Sequence, residues 1–174
     1  PEAVSFENYI SEAEKAVKAF EKMGVNKIVA VTHIGYDDSA AVDNDLELAA
    51  KVDGIDVIIG GHSHTMLSEP VAVTKDENGA EKDTTLIVQA YQYSEYLGTL
   101  DVKFDKKGKI TDYAGELLKV ADYQEDAKAA EALRKYSDKI EEIRQTETGA
   151  VAEFALTNPR KSDANSDGTS VRAN

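Results

Sequence analysis

The sequence predicts an α/β fold built on a mixed sheet, with a long charged helix towards its C-terminal end. Three observations carry that expectation. Two short apolar runs rich in β-branched residues, 27–32 and 55–60, bracket an amphipathic stretch. The segment from 70 to 119 alternates in polarity and is punctuated by turn residues. Residues 124–147 carry dense charge around one narrow apolar stripe at helical spacing.

Taken in order, Phe6, Tyr9, Ile10, Ala13, Val17 and Phe20 recur every three or four residues, so residues 6–23 read as a helix. Ser5 is its expected N-cap and Gly24 its end. "KIVAVT" (27–32) reads as a strand covered on both faces, because its run of apolar residues is unbroken. "NDLELAAKV" (44–52) is a short helix capped by Asp43 or Asn44, and "IDVIIG" (55–60) is a second buried strand. Strand, helix and strand within so short a span form a βαβ unit, which places the two strands parallel and close together.

Beyond residue 64 the texture changes. "PVAVT" and "TTLIVQA" flank Asn78-Gly79, a hairpin signal. Leu100, Val102 and Phe104 alternate with Asp101, Lys103 and Asp105, as in a strand with one wet face, and "DKKGK" turns that strand into "ITDYAGELLKV". The middle of the chain is therefore expected to be antiparallel. In residues 124–147, Leu133, Tyr136, Ile140 and Ile143 form the apolar stripe, narrow enough for one-sided packing as in a connector. "GAVAEFALT" (149–157) starts a further strand, and the polar remainder to 174 reads as loop or disorder.

Composition excludes several classes. A length of 174 residues suits one medium domain, with 41% hydrophobic and 30% charged residues. No run approaches the roughly 20 apolar residues of a membrane-spanning helix, and the start lacks a signal peptide's basic and apolar regions. A piece of a longer precursor would look the same, so location stays open. The absence of cysteine excludes disulfides and thiolate metal sites. A net charge of −13 with no basic stripe argues against binding a nucleic-acid polymer.

The three histidines share one kind of place. His33 follows the first predicted strand by one residue, and His62 and His64 follow the second by two and four. In parallel sheets, ligands gather outside the carboxyl ends of the strands, and neighbouring strands lie about 5 Å apart. All three imidazoles are therefore expected on one rim. Gly35, Gly60 and Gly61 let the chain turn there without a Cβ in the way. In an extended segment His62 and His64 would point to the same side, and two ions about 3.5–4 Å apart could take one each. Imidazole suits Zn, Mn, Fe, Co and Ni.

The plainer readings stand beside this one. A lone histidine is commonly a surface or core residue, and H-x-H alone is a weak motif. All the histidines at two strand ends favour a metal site, either one half of a two-metal centre or a single structural ion held by three nitrogens. Three histidines do not complete a two-metal centre. Asp37 and Asp38 lie near, though "YDDSAAVDND" reads more simply as an acidic loop before a capped helix. Tyr91, Tyr93 and Tyr96 read as strand packing, and "SDANSDG" lacks the spacing of a calcium loop.

"THIGY", "VDGIDVIIGGHSHT" and "IVQAYQYSEYLGTLDVKFD" closely resemble the C-terminal half of the catalytic domain of bacterial 5′-nucleotidases, in the calcineurin-like metallophosphoesterase superfamily. The resemblance runs from about residue 5 to 122. It implies a partial α/β/β/α metallophosphoesterase sandwich over 1–122, an interdomain linker helix over 123–148, and the start of a nucleoside-binding domain, partly disordered, over 149–174. It also implies a two-metal phosphomonoesterase acting on nucleoside 5′-monophosphates, secreted or held in the cell wall or periplasm. His33 and His62 match ligands of one metal and His64 a ligand of the other, while Thr32, Gly35, Tyr36, Gly61 and Ser63 match positions that shape the loops. The family's D-x-H, G-D and G-N-H motifs, which carry the remaining ligands and the catalytic histidine, do not occur in the chain. The chain is thus expected to be the middle of a longer enzyme, with no catalytic residue of its own, near-inactive alone, and with apolar strands baring a face to the missing N-terminal half.

Overall fold

Asn8, three residues later than the expected Ser5, starts the first helix. The computed structural model describes residues 4–37, 44–147 and 149, and in it helix α1 spans Tyr9–Lys22. The Asn8 side chain accepts from Ser11 N at 3.0 Å, satisfying a first-turn donor. Phe6 therefore stays outside the helix and exposed. Gly24, at φ 78°, closes the helix by donating to Glu21 O at 2.9 Å.

Strand β1 (Val29–Val31), helix α2 (Asp45–Lys51) and strand β2 (Val57–Ile59) make the βαβ unit, and β1 and β2 are parallel with Val29 opposite Val57. Asn44 caps α2 by accepting from Glu47 N at 2.7 Å. Strands β3 (Val71–Lys75) and β4 (Glu81–Val88) form the expected antiparallel hairpin. Its second strand also runs parallel to β2, giving a mixed sheet in the order β1-β2-β4-β3. Strands β5 (Tyr96–Phe104) and β6 (Ile110–Lys119) pair with each other as a separate antiparallel ribbon.

The core follows from the register. On one face of the sheet, Ile58 and Ile87 are sealed by Val17 of α1 and by Leu48 and Ala49 of α2. Towards the other face, Leu100 and Leu117 of the ribbon line a cavity of about 300 Å³ with Ile59 and Val88. Gly115 permits that approach, since a Cβ there would stand 2.8 Å from Pro70 Cγ. The expectation that β1 is covered on both faces fails. Only Ala30 joins the helix-side core, and Val29 and Val31, on the opposite face, are 58% and 80% exposed, because no described element covers that face of β1. Ile59 is also partly bare.

At the amino ends of the strands, Asp56 Oδ2 accepts from Ile28 N at 2.7 Å and bridges β1 to β2. Thr85 Oγ1 donates to Ile55 O at 2.7 Å and accepts from Lys82 Nζ at 3.0 Å.

The chain divides into two compact units, Pro1–Gln124 and Glu125–Asn174. Helix α3 (Ala127–Arg144) is the described part of the second, starting three residues after the expected point because Asp126 caps it, accepting from Ala129 N at 2.8 Å. Leu133, Tyr136, Ile140 and Ile143 are each more than half exposed. The strand expected at 149–157 and the polar tail lie outside the described residues, apart from Gly149. Among the described residues, no helix is long and apolar enough to cross a membrane.

Candidate metal centre

Parallel pairing of Val31 with Ile59 sets the carboxyl ends of β1 and β2 side by side, and Thr32 N extends the ladder to Ile59 O at 3.0 Å. From that shared end the chain carries His33 on one side and His62 on the other. Their ring centres stand 5.3 Å apart, with the planes inclined at 76°.

Two glycines make room for this pair. A Cβ on Gly61 would fall 2.9 Å from His33 Nδ1, and one on Gly60 would fall 2.1 Å from Asp45 Oδ2. Asp45 is fully buried at the start of α2, where Thr32 Oγ1 donates to its Oδ1 at 2.7 Å. Its backbone N–H donates to Gly35 O at 2.8 Å, and Gly35 itself sits at φ 87°. The first turn of α2 thus fastens the loop that carries His33.

The loop at 60–65 is not extended. His62 and His64 have φ of 74° and 55°, so strand alternation does not set their relative direction, contrary to expectation. Such a conformation costs a non-glycine residue on the order of 1–3 kcal/mol and persists only when its surroundings over-determine it. Those surroundings are Ser63 and Gln89. Ser63 Oγ accepts from Tyr36 N at 3.0 Å, joining the two histidine loops, and donates to Gln89 Oε1 at 3.2 Å. Gln89, 3% exposed, also accepts from Thr65 N at 2.6 Å and donates to Gly61 O at 3.2 Å. Both ends of the loop are therefore pinned by one buried amide. Burial, and then the charge of Asp37, pushes the Tyr36 phenol above its ordinary range.

His64 turns to Tyr93, its ring centre 5.3 Å away and its plane inclined at 62°. Tyr93 is 75% exposed on the loop after β4, so strand packing does not describe it. Tyr91 and Tyr96 do pack together, edge to face at 6.1 Å.

The His33–His62 spacing suits one shared ion. With metal–nitrogen bonds of about 2.0–2.1 Å and a tetrahedral angle, two imidazoles on one ion have ring centres about 5.2 Å apart. Among the described residues, however, no group of three or more His, Asp or Glu side chains is placed to hold a metal. The pair by itself does not make up a full donor set. Asp37 does not complete it, and Asp38 lies outside the described residues. Asp45 and Gln89 were not singled out from the sequence. Asp45 read as part of a helix start, and the one signal for Gln89 was a polar residue ending the apolar run "TLIV".

No family model matches the chain. Over 151 residues it is 36% identical to the trifunctional nucleotide phosphoesterase protein YfkN of Bacillus subtilis (strain 168), covering 84% of this chain and 10% of that protein. It is 34% identical over 136 residues to a snake venom 5′-nucleotidase of Naja atra, covering 71% of this chain and 24% of the venom protein. The crystal structure of a 5′-nucleotidase precursor from Thermus thermophilus is similar at a TM-score of 0.71 and 35% identity, over 84% of this chain and 30% of that one. The chain therefore spans a third or less of the length of each.

Proposed function

Because the chain belongs to the 5′-nucleotidase family, we propose that a protein carrying it hydrolyses nucleoside 5′-monophosphates to nucleoside and phosphate. His33 and His62 would hold one divalent cation, and His64 a second. The observation that carries this reading is the 5.3 Å pairing of His33 and His62 at the carboxyl ends of two parallel strands. Nitrogen donors suit zinc, manganese, iron, cobalt or nickel, and do not choose among them.

When bound, such ions acidify a water and offset charge on the phosphoryl oxygens. The chain's own part is to hold the donors still. Gly61 leaves His33 its space, Ser63 locks the two histidine loops together, and Gln89 fixes the loop bearing His62 and His64. We assign the chain no catalytic residue, because its histidines are all taken up as metal donors in this reading. Contacts to the nucleoside are likewise unassigned. The nucleotide is the proposed partner, together with a segment bearing the remaining ligands; no nucleic-acid polymer is among the partners. A secreted, cell-wall or periplasmic setting belongs to the same proposal and is supported by the venom relative.

The trifunctional relative favours testing more than one nucleotide class. A 2′,3′-cyclic nucleotide phosphodiesterase or a UDP-sugar hydrolase is the second reading, and a non-catalytic metal-binding module the third. The test is a substrate panel on a protein of the relatives' length with Mn²⁺ or Zn²⁺ added. Release of phosphate from nucleoside 5′-monophosphates, abolished by His62→Ala, is expected. Preference for the cyclic or UDP-linked substrates would replace the first reading with the second, and turnover indifferent to His62→Ala would refute both.

A further inference from the structure

We propose that Tyr93 is a positioning residue for His64, its ring setting the plane in which that imidazole presents its donor nitrogen; the link to metal binding rests on the reading of His64 as a ligand. Among the described residues, the only non-glycine residues with positive φ are His62, His64, Tyr91, Tyr93 and Ser94. All five lie in two loops, 60–65 and 91–95. A bulky side chain rarely adopts such a conformation without a reason, and the strain here does not serve core packing, because Tyr93 is 75% exposed. What it achieves is contact, an edge-to-face approach to His64 at 5.3 Å, within the range that aromatic rings favour.

The two loops are fastened to each other. Tyr91 N donates to Thr65 O at 3.2 Å, and Met66 and Ala90 form an antiparallel bridge. Gln89, two residues before the second loop, holds the first through Thr65 N and Gly61 O. A turn from Glu95 N to Gln92 O at 3.0 Å closes the second loop, and the Tyr91–Tyr96 ring pair anchors its base. Tyr93 therefore stands on a loop tied by hydrogen bonds to the one that bears His64. The rings of His33 and His62 pair with each other, whereas the ring beside His64 is that of Tyr93. The contact is made by the ring, so Tyr93→Phe should preserve it and Tyr93→Leu should not, although both keep apolar bulk.

Proton NMR of the histidine side chains in the 174-residue chain decides this without any metal. In the wild type and in Tyr93→Phe, His64 is expected to show a ring-current displacement and β-proton couplings of a single rotamer. In Tyr93→Leu the displacement is lost and the couplings average, while His33 stays unmoved as the internal reference. Zn²⁺ titration then reads the consequence, a loss of about two- to tenfold in the His64 response for Tyr93→Leu, the cost of re-ordering one side chain. Unaltered His64 couplings in Tyr93→Leu would overturn the proposal, as would His33 moving in step with His64, which marks a general loosening. A wild-type chain whose histidines ignore Zn²⁺ sinks the metal assignment under the proposed function, and the couplings still judge Tyr93 by themselves.

Discussion

Gly60 and Gly61 stand next to each other and do different work. Gly60 faces the buried carboxylate of Asp45, which cannot retreat, because Thr32 holds it and α2 begins there. Gly60→Ala is therefore expected to cost about 1–3 kcal/mol of overpacking, read as a lower midpoint in a urea melt. Gly61 faces the His33 ring, the end of a side chain that can swing away. Gly61→Ala should melt close to the wild type yet move His33 off His62, which the imidazole resonances of both would show. From the sequence the two glycines were legible only as places without a Cβ. The left-handed backbone falls on Gly35, as its residue type allows, and on His62 and His64 rather than on the glycines beside them. Asp56 gives a test by pH. Burial raises its carboxyl above the ordinary range, against the pull of the Ile28 N–H and of Lys27. The native state thus holds this proton more tightly than the unfolded chain. Its contribution to stability is full below the ordinary carboxylate value and is lost as pH rises through the raised one. Asp56→Asn keeps an acceptor for Ile28 N and removes the charge, so urea melts from about pH 4 upward should show a flatter decline than the wild type. An unchanged decline would assign it to another group.

At the scale of elements, the histidine loops depend on the end of β4. Gln89→Leu keeps the bulk and strands Thr65 N and Gly61 O, a loss of about 1–3 kcal/mol for unmet buried groups. Faster amide exchange at Thr65, whose N–H Gln89 accepts at 2.6 Å, would register it. Helix α3 offers a simpler case. Asp126→Ala removes its cap and should cost the first turn about 1 kcal/mol, seen as lost exchange protection at Ala129 and Ala130. The βαβ unit, both hairpins and α3 could be read in advance because each is written in local periodicity and turn residues. Two features could not. The parallel pairing of β4 with β2 joins residues such as Ile58 and Ile87 that are distant in the chain, although the unbroken "LIV" of β4 shares the apolar look of β2. The place of β1 at the sheet edge is set by long-range pairing, which no property of "VAV" encodes, whereas the exposure of Val29, Val31 and Ile59 is in line with the apolar strands that the resemblance led one to expect bare on one face.

For the molecule as a whole, the proposed metal centre lacks ligands that the described residues do not supply. The strand ends bring His33 and His62 together, and no third His, Asp or Glu joins them among the described residues. The 174-residue chain alone is accordingly expected to leave a nucleoside monophosphate intact in the presence of Mn²⁺ or Zn²⁺; robust release of phosphate, lost in His62→Ala, would refute that. The pairing of His33 with His62 was legible because each follows an apolar run that forms a strand, whereas His64, expected on the same rim, lies against Tyr93. The supports of the pair, Asp45 and Gln89, were not, since a buried carboxylate and amide look in sequence like an ordinary cap and an ordinary strand end. The most direct test of the central claim follows the ring protons of His33 and His62 while Co²⁺ is added to the chain. The shared-ion geometry requires both to shift together over one range of concentration, and requires His62→Ala to abolish the response of His33. A His33 that stays silent while His62 responds, or that responds undiminished in His62→Ala, would contradict it.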